Sequence, residues 1–339
     1  MSSVSSHANY TFNELFLQVG HSACPTARYV CSMRARLIAA FAAVYVIWGS
    51  TYLAIRFAVE TLPPLLMAGT RFVLAGAILL LCSRFRSPAQ GPTRIDWRTG
   101  LVSGLLLLLV GNGGVVWAEQ RVPSGIAALL VAVVPLWMVL LEWMRPAGRR
   151  PPALVFAGLG LGLVGLAFLV GPHALQAHGG VDLTGALVLV VASLSWAAGS
   201  LYTKHAPRAS TGLNGAATQM IAGGGLLIIA ATLFGEFARL DLAHASSRSI
   251  LSFFYLVTFG SLIGFTGYFY LLTHTTAAKA ATYAYVNPVV AVLLGWAFAN
   301  EPVTSRTLLA AAVILASVAI ITAARDPEVS TPEKARAAA

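Results

Sequence analysis

Stretches of about twenty mostly apolar residues, separated by short polar segments, recur from Leu37 to the end of the last such run at Ala323. A helix rises ~1.5 Å per residue and the hydrocarbon core of a bilayer is ~30 Å thick, so each run has the length of one membrane crossing. The pattern predicts helices near residues 37–57, 64–83, 99–118, 124–143 and 152–171. A second five follow near 183–203, 214–234, 250–272, 279–298 and 306–323. Breakers fall between them at Pro63-Pro64, Pro123, Pro151-Pro152, Gly171-Pro172 and Pro302, where a chain leaving a helix is expected. The expected fold class is therefore an all-α polytopic membrane protein with ten transmembrane helices.

The two sets of five match each other weakly. A shift of 148 residues places Trp48 on Trp196, Thr70 on Thr218, Arg71 on Gln219 and Gly76 on Gly224. A shift of 153 places Gly111 on Gly264, Trp117 on Tyr270, Ala127-Ala128 on Ala280-Ala281, Pro135 on Pro288 and Trp143 on Trp296. Apolar sequences of low diversity match themselves by chance, but matched prolines and tryptophans argue against that. A unit with an odd number of spans enters the membrane from opposite sides in its two copies, which predicts two inverted five-helix repeats around a site near the midplane. The expected boundaries are 36–172 for the first repeat (TM1–TM5) and 181–324 for the second (TM6–TM10), with a disordered cytoplasmic tail over 325–339. Residues 1–35 fit neither repeat and read as a disordered or misannotated extension, since Met33-Arg34-Ala35-Arg36 has the form of a start just before the first span. No cleavable signal peptide is expected.

Composition supports lipid as the solvent: 58% of the residues are hydrophobic and 10% charged, against ~25% charged in a soluble domain. The net charge of +10 lies in short connections and at the termini, without the aromatic-interleaved basic stripes of a nucleic-acid surface. Of the 22 Lys and Arg residues, sixteen fall on the side of the amino terminus, five on the opposite side, and Arg71 lies within a span. The positive-inside rule then places both termini in the cytoplasm. Cys24, Cys31 and Cys82 have no metal or disulfide spacing, and no phosphate-binding Gly-x-x-x-x-Gly-Lys-Ser/Thr loop is present. No metal or other cofactor is expected. The partners expected are a small-molecule substrate and the bilayer.

Polar groups inside the runs are the candidate machinery. Arg71 lies ~10 Å from the end of its helix and either binds an anionic group of the substrate or anchors helices through carbonyls and snorkelling. Pro135 and Pro288 fall near mid-span in matched places, each freeing the carbonyl four residues earlier (Val131, Ala284), either to line a cavity or to kink the helix. Trp48, Ser50, Thr51 and Tyr52 on the first span, Asn112 and Trp117 on the third, and Trp196, Ser200 and Tyr202 on the sixth could form an aromatic and hydroxyl-bearing lining. Tyr268, Tyr270, Tyr283, Tyr285 and Asn287 add to it from the eighth and ninth. Interface anchoring is the competing role for Trp117, Tyr202 and Tyr270. Glu119 either gates the cavity or sits as a surface carboxylate beside Arg121. No Asp lies inside a span, so no buried aspartate relay is present and energy coupling stays open. Gly158-x-Gly160-x-Gly162 and Gly223-Gly224-Gly225 suit close helix packing, and Gly158 with Gly162 also forms a small-xxx-small pair of the kind that mediates homodimers.

Particular segments make the sequence familiar. Trp48-Gly49-Ser50-Thr51-Tyr52, Pro63-Pro64, Met67-Ala68-Gly69 and Arg71-Phe72 resemble the first helix pair of the EamA family of the drug/metabolite transporter superfamily. Gly111-Asn112-Gly113-Gly114, Trp117-Ala118-Glu119, Val122-Pro123-Ser124-Gly125-Ile126-Ala127-Ala128 and Ala284-Tyr285-Val286-Asn287-Pro288-Val289-Val290 are similar to the YedA-type permeases within it. The resemblance covers Arg34 to Ala324 and implies an inner-membrane exporter of small metabolites, amino acids or drug-like amphipathic solutes, working by alternating access. One departure concerns the acidic pair that ends the fourth helix of each half in the family. Here only the second half carries it, as Asn300-Glu301-Pro302, and Gly148 stands opposite Glu301 in the first. The competing classes are an intramembrane enzyme, disfavoured by scattered histidines and the lack of an Asp-rich motif, and a sensor without flux.

Overall fold

The computed structural model describes residues 25–86, 91–118, 120–122, 130–146, 150–176, 182–207, 212–299 and 304–324. Glu119, the segment from Pro123 to Leu129, Gly148, Asn300-Glu301-Pro302 and both termini lie outside the described residues, as do the side chains of Tyr52 and Trp296. The chain divides after Ala39 into two compact units, and the second holds the helix bundle.

The described residues are helical, with no strand among them. They form α1 (Pro25–Ala58), α2 (Pro64–Arg86), α3 (Arg94–Ala118), α4 (Val134–Trp143), α5 (Ala153–Gln176), α6 (Leu183–His205), α7 (Gly212–Leu233), α8 (Ser247–His274), α9 (Tyr283–Ala299) and α10 (Ser305–Ala323). Among these α1, α2, α3, α6, α7 and α8 are long and apolar enough to cross a membrane. The first helix begins at Pro25 instead of near Leu37. A proline needs no amide partner in a first helical turn, and no breaker separates it from the apolar run. Pro135 stands in the first turn of α4, just after a turn at residues 132–133 that separates it from the helical residues 130–131. Pro288 lies inside α9 as expected.

Helix starts follow local chemistry. Thr93 and Asp96 form a reciprocal capping box on α3, with Thr93 N donating to Asp96 Oδ2 at 2.8 Å and Asp96 N to Thr93 Oγ1 at 3.3 Å. Asp182 caps α6 and Ser246 caps α8. The start of α2 is capped from a distance. Gly235 turns the chain after α7 with φ of 70°, and buried Glu236 then accepts from Leu65 N at 3.3 Å and Leu66 N at 2.8 Å. A carboxylate here satisfies two buried amides that have no partner within the helix, and the positive end of the helix dipole. Glu236→Ala should lower stability by about 1–2 kcal/mol, read as a fall in Tm of purified protein. Glu60→Ala should leave Tm nearly unchanged, since Glu60 and Arg248 pair at 3.8 Å with both side chains exposed.

Small residues bring helices together. A β-carbon on Gly69 would lie 2.9 Å from the Gly224 carbonyl, and one on Gly76 would lie 3.0 Å from that of Ala217, so α2 and α7 meet backbone to backbone at two levels. Gly104 of α3 approaches Gly223 of α7 as closely. On the far side α5 packs along α10: Gly158 and Gly162 face Ser317 and its neighbours, so this pair is used within the chain. Outward-facing Leu74, Ile78, Leu81 and Phe85 run as an exposed apolar stripe along α2, a surface suited to lipid.

Candidate functional site

The site is built where two helices loosen. The middle of α3 (Leu105–Asn112) and of α8 (Leu256–Phe265) is wound as π-helix. Such a wide turn re-aims side chains and carbonyls, and is common at functional sites. Both π segments are bonded from outside. The Gly260 carbonyl accepts from Trp48 Nε1 at 3.1 Å, and the Leu106 carbonyl accepts from Ser195 Oγ at 2.8 Å. Glycine makes room for tryptophan in each: a β-carbon on Gly111 would lie 3.1 Å from the Trp196 ring, and one on Gly264 would overlap Trp48 Nε1.

Between these segments lies a cavity of about 90 Å³, several times the ~10–15 Å³ that one water requires. Helices α1, α2, α3, α4, α6, α8 and α9 all contribute to its wall. Of the residues singled out in the sequence, Trp48 and Thr51, Arg71, Asn112, Trp196 and Asn287 line it. Tyr283, Phe265, Ser193, Gly260 and the aliphatic Val115, Val131 and Val134 extend the wall. Trp48 is the hub of an aromatic cluster, with ring centroids 4.9 Å from Tyr283, 5.0 Å from Tyr268, 5.2 Å from Phe265 and 5.8 Å from Trp196. These edge and tilted contacts fix the rings without filling the cavity.

The polar groups in the wall are incompletely used. Arg71 is 4% exposed, its guanidinium lies 4.2 Å from the Phe72 ring centre, and its Nε has no hydrogen-bond partner among the described residues. Asn112 Oδ1 and Trp196 Nε1 are likewise buried without a partner there. With its carboxamide turned to suit its neighbours, Asn287 donates to the carbonyls of Tyr45 and Tyr283 at 3.3 and 3.1 Å. One positive fork, one acceptor and one indole donor therefore converge on a mostly apolar space, the usual composition of a small-molecule site. Among the described residues no group of metal-ligating side chains occurs.

Several predicted residues lie elsewhere. Ser50 bonds to the Ile47 carbonyl at 2.7 Å and to the Tyr255 hydroxyl at 2.6 Å, away from the wall. Tyr268 supports Trp48 from behind and bonds Ser200 at 2.7 Å. Tyr285 is buried against α5, donating to the Leu159 carbonyl at 3.3 Å. Tyr270 stacks on His274 at 3.9 Å, and Trp117 lies 4.5 Å beneath the Arg121 guanidinium. Trp117 also borders a second, almost wholly apolar groove with Gly113, Gly114, Val188 and Val191. The residues lining that groove bring no converging polar side chains, and it resembles the lipid-facing surface around it. Pro135 is buried at the start of α4 beside wall residue Val134.

A wall drawn from seven helices, mostly apolar and with a few convergent polar atoms, has the make-up of a carrier interior. The profile of the EamA-like transporter family matches residues 35–171 and again 183–323, and the chain belongs to that family of membrane transporters. It is 41% identical over 291 residues to the inner membrane transporter YedA of Escherichia coli K12, covering 84% of this chain and 90% of the relative. It is 25% identical to the transporter YvbV of Bacillus subtilis, over 85% and 91% of the two chains. Protein PecM of Dickeya dadantii is 27% identical over 81% and 88%. A protein of known crystal structure superposes with a TM-score of 0.69 at 20% identity, covering 85% of this chain and 96% of that one, and shares the fold.

Proposed function

We propose that the protein is an inner-membrane exporter of small metabolites, amino acids or drug-like amphipathic solutes. Ten spans form two inverted halves that rock about the central cavity, with both chain ends in the cytoplasm. The observation that carries this reading is the exchange of contacts between the halves. The shift of 148 residues carries Gly69 onto Ala217 and Gly76 onto Gly224, so the Gly69–Gly224 approach maps onto the Gly76–Ala217 approach. The two shifts together carry the contact of Trp196 with Gly111 onto that of Trp48 with Gly264, and the π segment of α3 onto that of α8. Pairs related in this way are expected of two copies facing each other across an axis in the membrane plane. The cavity lies where those copies meet.

Two measurements test the reading. Cells overexpressing the protein should grow better than controls in at least one of a panel of toxic amino acids, analogues and amphipathic drugs. Proteoliposomes should move the same compound down its gradient. Unchanged growth across the panel with abundant protein in the membrane, together with no flux, would remove the exporter assignment.

A further inference from the structure

The carrier reading leaves the charge of the solute open, and the chemistry of the cavity wall bears on it. Arg71 is the one charged side chain among the described residues of the wall. It is more than nine-tenths buried, and among the described residues no carboxylate pairs with it. A guanidinium held in a low-dielectric site with an unused Nε lacks its natural complement, a planar anion that accepts two parallel hydrogen bonds. The other two unused atoms add to the pattern: Asn112 Oδ1 accepts and Trp196 Nε1 donates. Most of the remaining wall is aromatic or aliphatic.

Resting on the carrier reading, we propose that the cavity selects small apolar carboxylates with an N–H or O–H donor beside the carboxylate. The carboxylate sits on Arg71, the neighbouring donor on Asn112 Oδ1, and the apolar body against Trp48 and Phe265. A cation would gain a weak attraction from the ring faces. It would also meet a full positive charge in the same water-poor space, where like charges repel more strongly than in water. Amines of matched shape are therefore excluded. A bare carboxylate without the donor binds, but less well.

The test uses purified full-length protein and matched compounds: 3-phenyllactate, 3-phenylpropionate, 3-phenylpropanol and phenethylamine, with the aliphatic set 2-hydroxyisocaproate, isocaproate and isoamylamine. Binding is read by calorimetry in detergent and flux in proteoliposomes. In at least one set the hydroxy acid should bind tightest, with the amine weaker by roughly tenfold or more. Arg71→Gln should erase the preference for carboxylate over alcohol, and Arg71→Lys should keep part of it. An amine binding as well as its acid, no binding by any acid, or an unchanged preference in Arg71→Gln would overturn the proposal. The comparison within the wild-type protein stands even if Arg71→Gln does not fold. Binding of the acids without flux would sink the carrier reading and leave the anion site in place.

Discussion

Gly104→Val should abolish the folded protein, seen as loss of the monodisperse peak when detergent extracts are run by size exclusion. A β-carbon at this position would lie 2.6 Å from Gly223 N and 2.8 Å from the Gln219 carbonyl. Both are backbone atoms, so no rotamer change relieves the clash and α3 must move off α7. Overpacking of this kind costs about 1–3 kcal/mol in a soluble core, and more where backbone blocks relaxation. Lipid offers no hydrophobic force to hold the helices together at a larger spacing, because their close approach is itself the main attraction. Gly160→Val is the control. Among the described residues nothing lies within 4 Å of its β-carbon position, and its Tm should stay within roughly 2 °C of the parent. A normal elution profile and Tm for Gly104→Val would show that α3 and α7 are not so close.

The helices are legible in the sequence because crossing length and apolarity are properties of a linear run. The π segments are not. Leu105–Val110 reads as an unbroken apolar stretch, and the fit of Gly111 beneath Trp196 at the end of the wider turn is a contact between residues far apart in sequence. The turn at residues 132–133 before α4 is hidden for a similar reason. A proline in a membrane helix kinks it or opens its first turn, and the sequence alone does not say which. Glu236 gives no signal either, because a carboxylate in a connection looks like any solvated one, and only the fold carries it to the start of α2.

The site is legible where a polar or large residue interrupts an apolar run. Arg71, Asn112 and Asn287 stand out by the cost of hiding them. Val131, Val134, Ala192 and Phe265 carry no such mark, since an apolar residue in an apolar run faces lipid, core or cavity with equal ease. Helical period sorts two of the misplaced residues. Successive residues turn by about 100°, so Ser50 points ~200° away from Trp48 and Tyr285 as far from Asn287. If Trp48 and Asn287 face the cavity, Ser50 and Tyr285 face elsewhere, as they do.

Joining positions 142 and 205 should stop transport. Glu142 at the end of α4 meets His205 at the end of α6, with its carboxylate oxygens 3.0 and 2.9 Å from Nε2, and Arg145 joins it at 3.2 Å. Both partners are about a third exposed, and an exposed pair of this kind is worth about 0–1 kcal/mol, so it can open and close at small cost. In the inverted-repeat reading α4 belongs to the first half and α6 to the second, and rocking of the halves changes the distance between them. Glu142→Cys with His205→Cys, in a background lacking Cys24, Cys31 and Cys82, can be bridged by a short cleavable bismaleimide. Flux should persist in the unbridged protein, fall to roughly a tenth or less on bridging, and return on cleavage, since a carrier that cannot change its access cannot turn over. Full flux through the bridged protein would show that these helix ends stay together throughout the cycle, and the two halves would then not move as rigid bodies about the cavity.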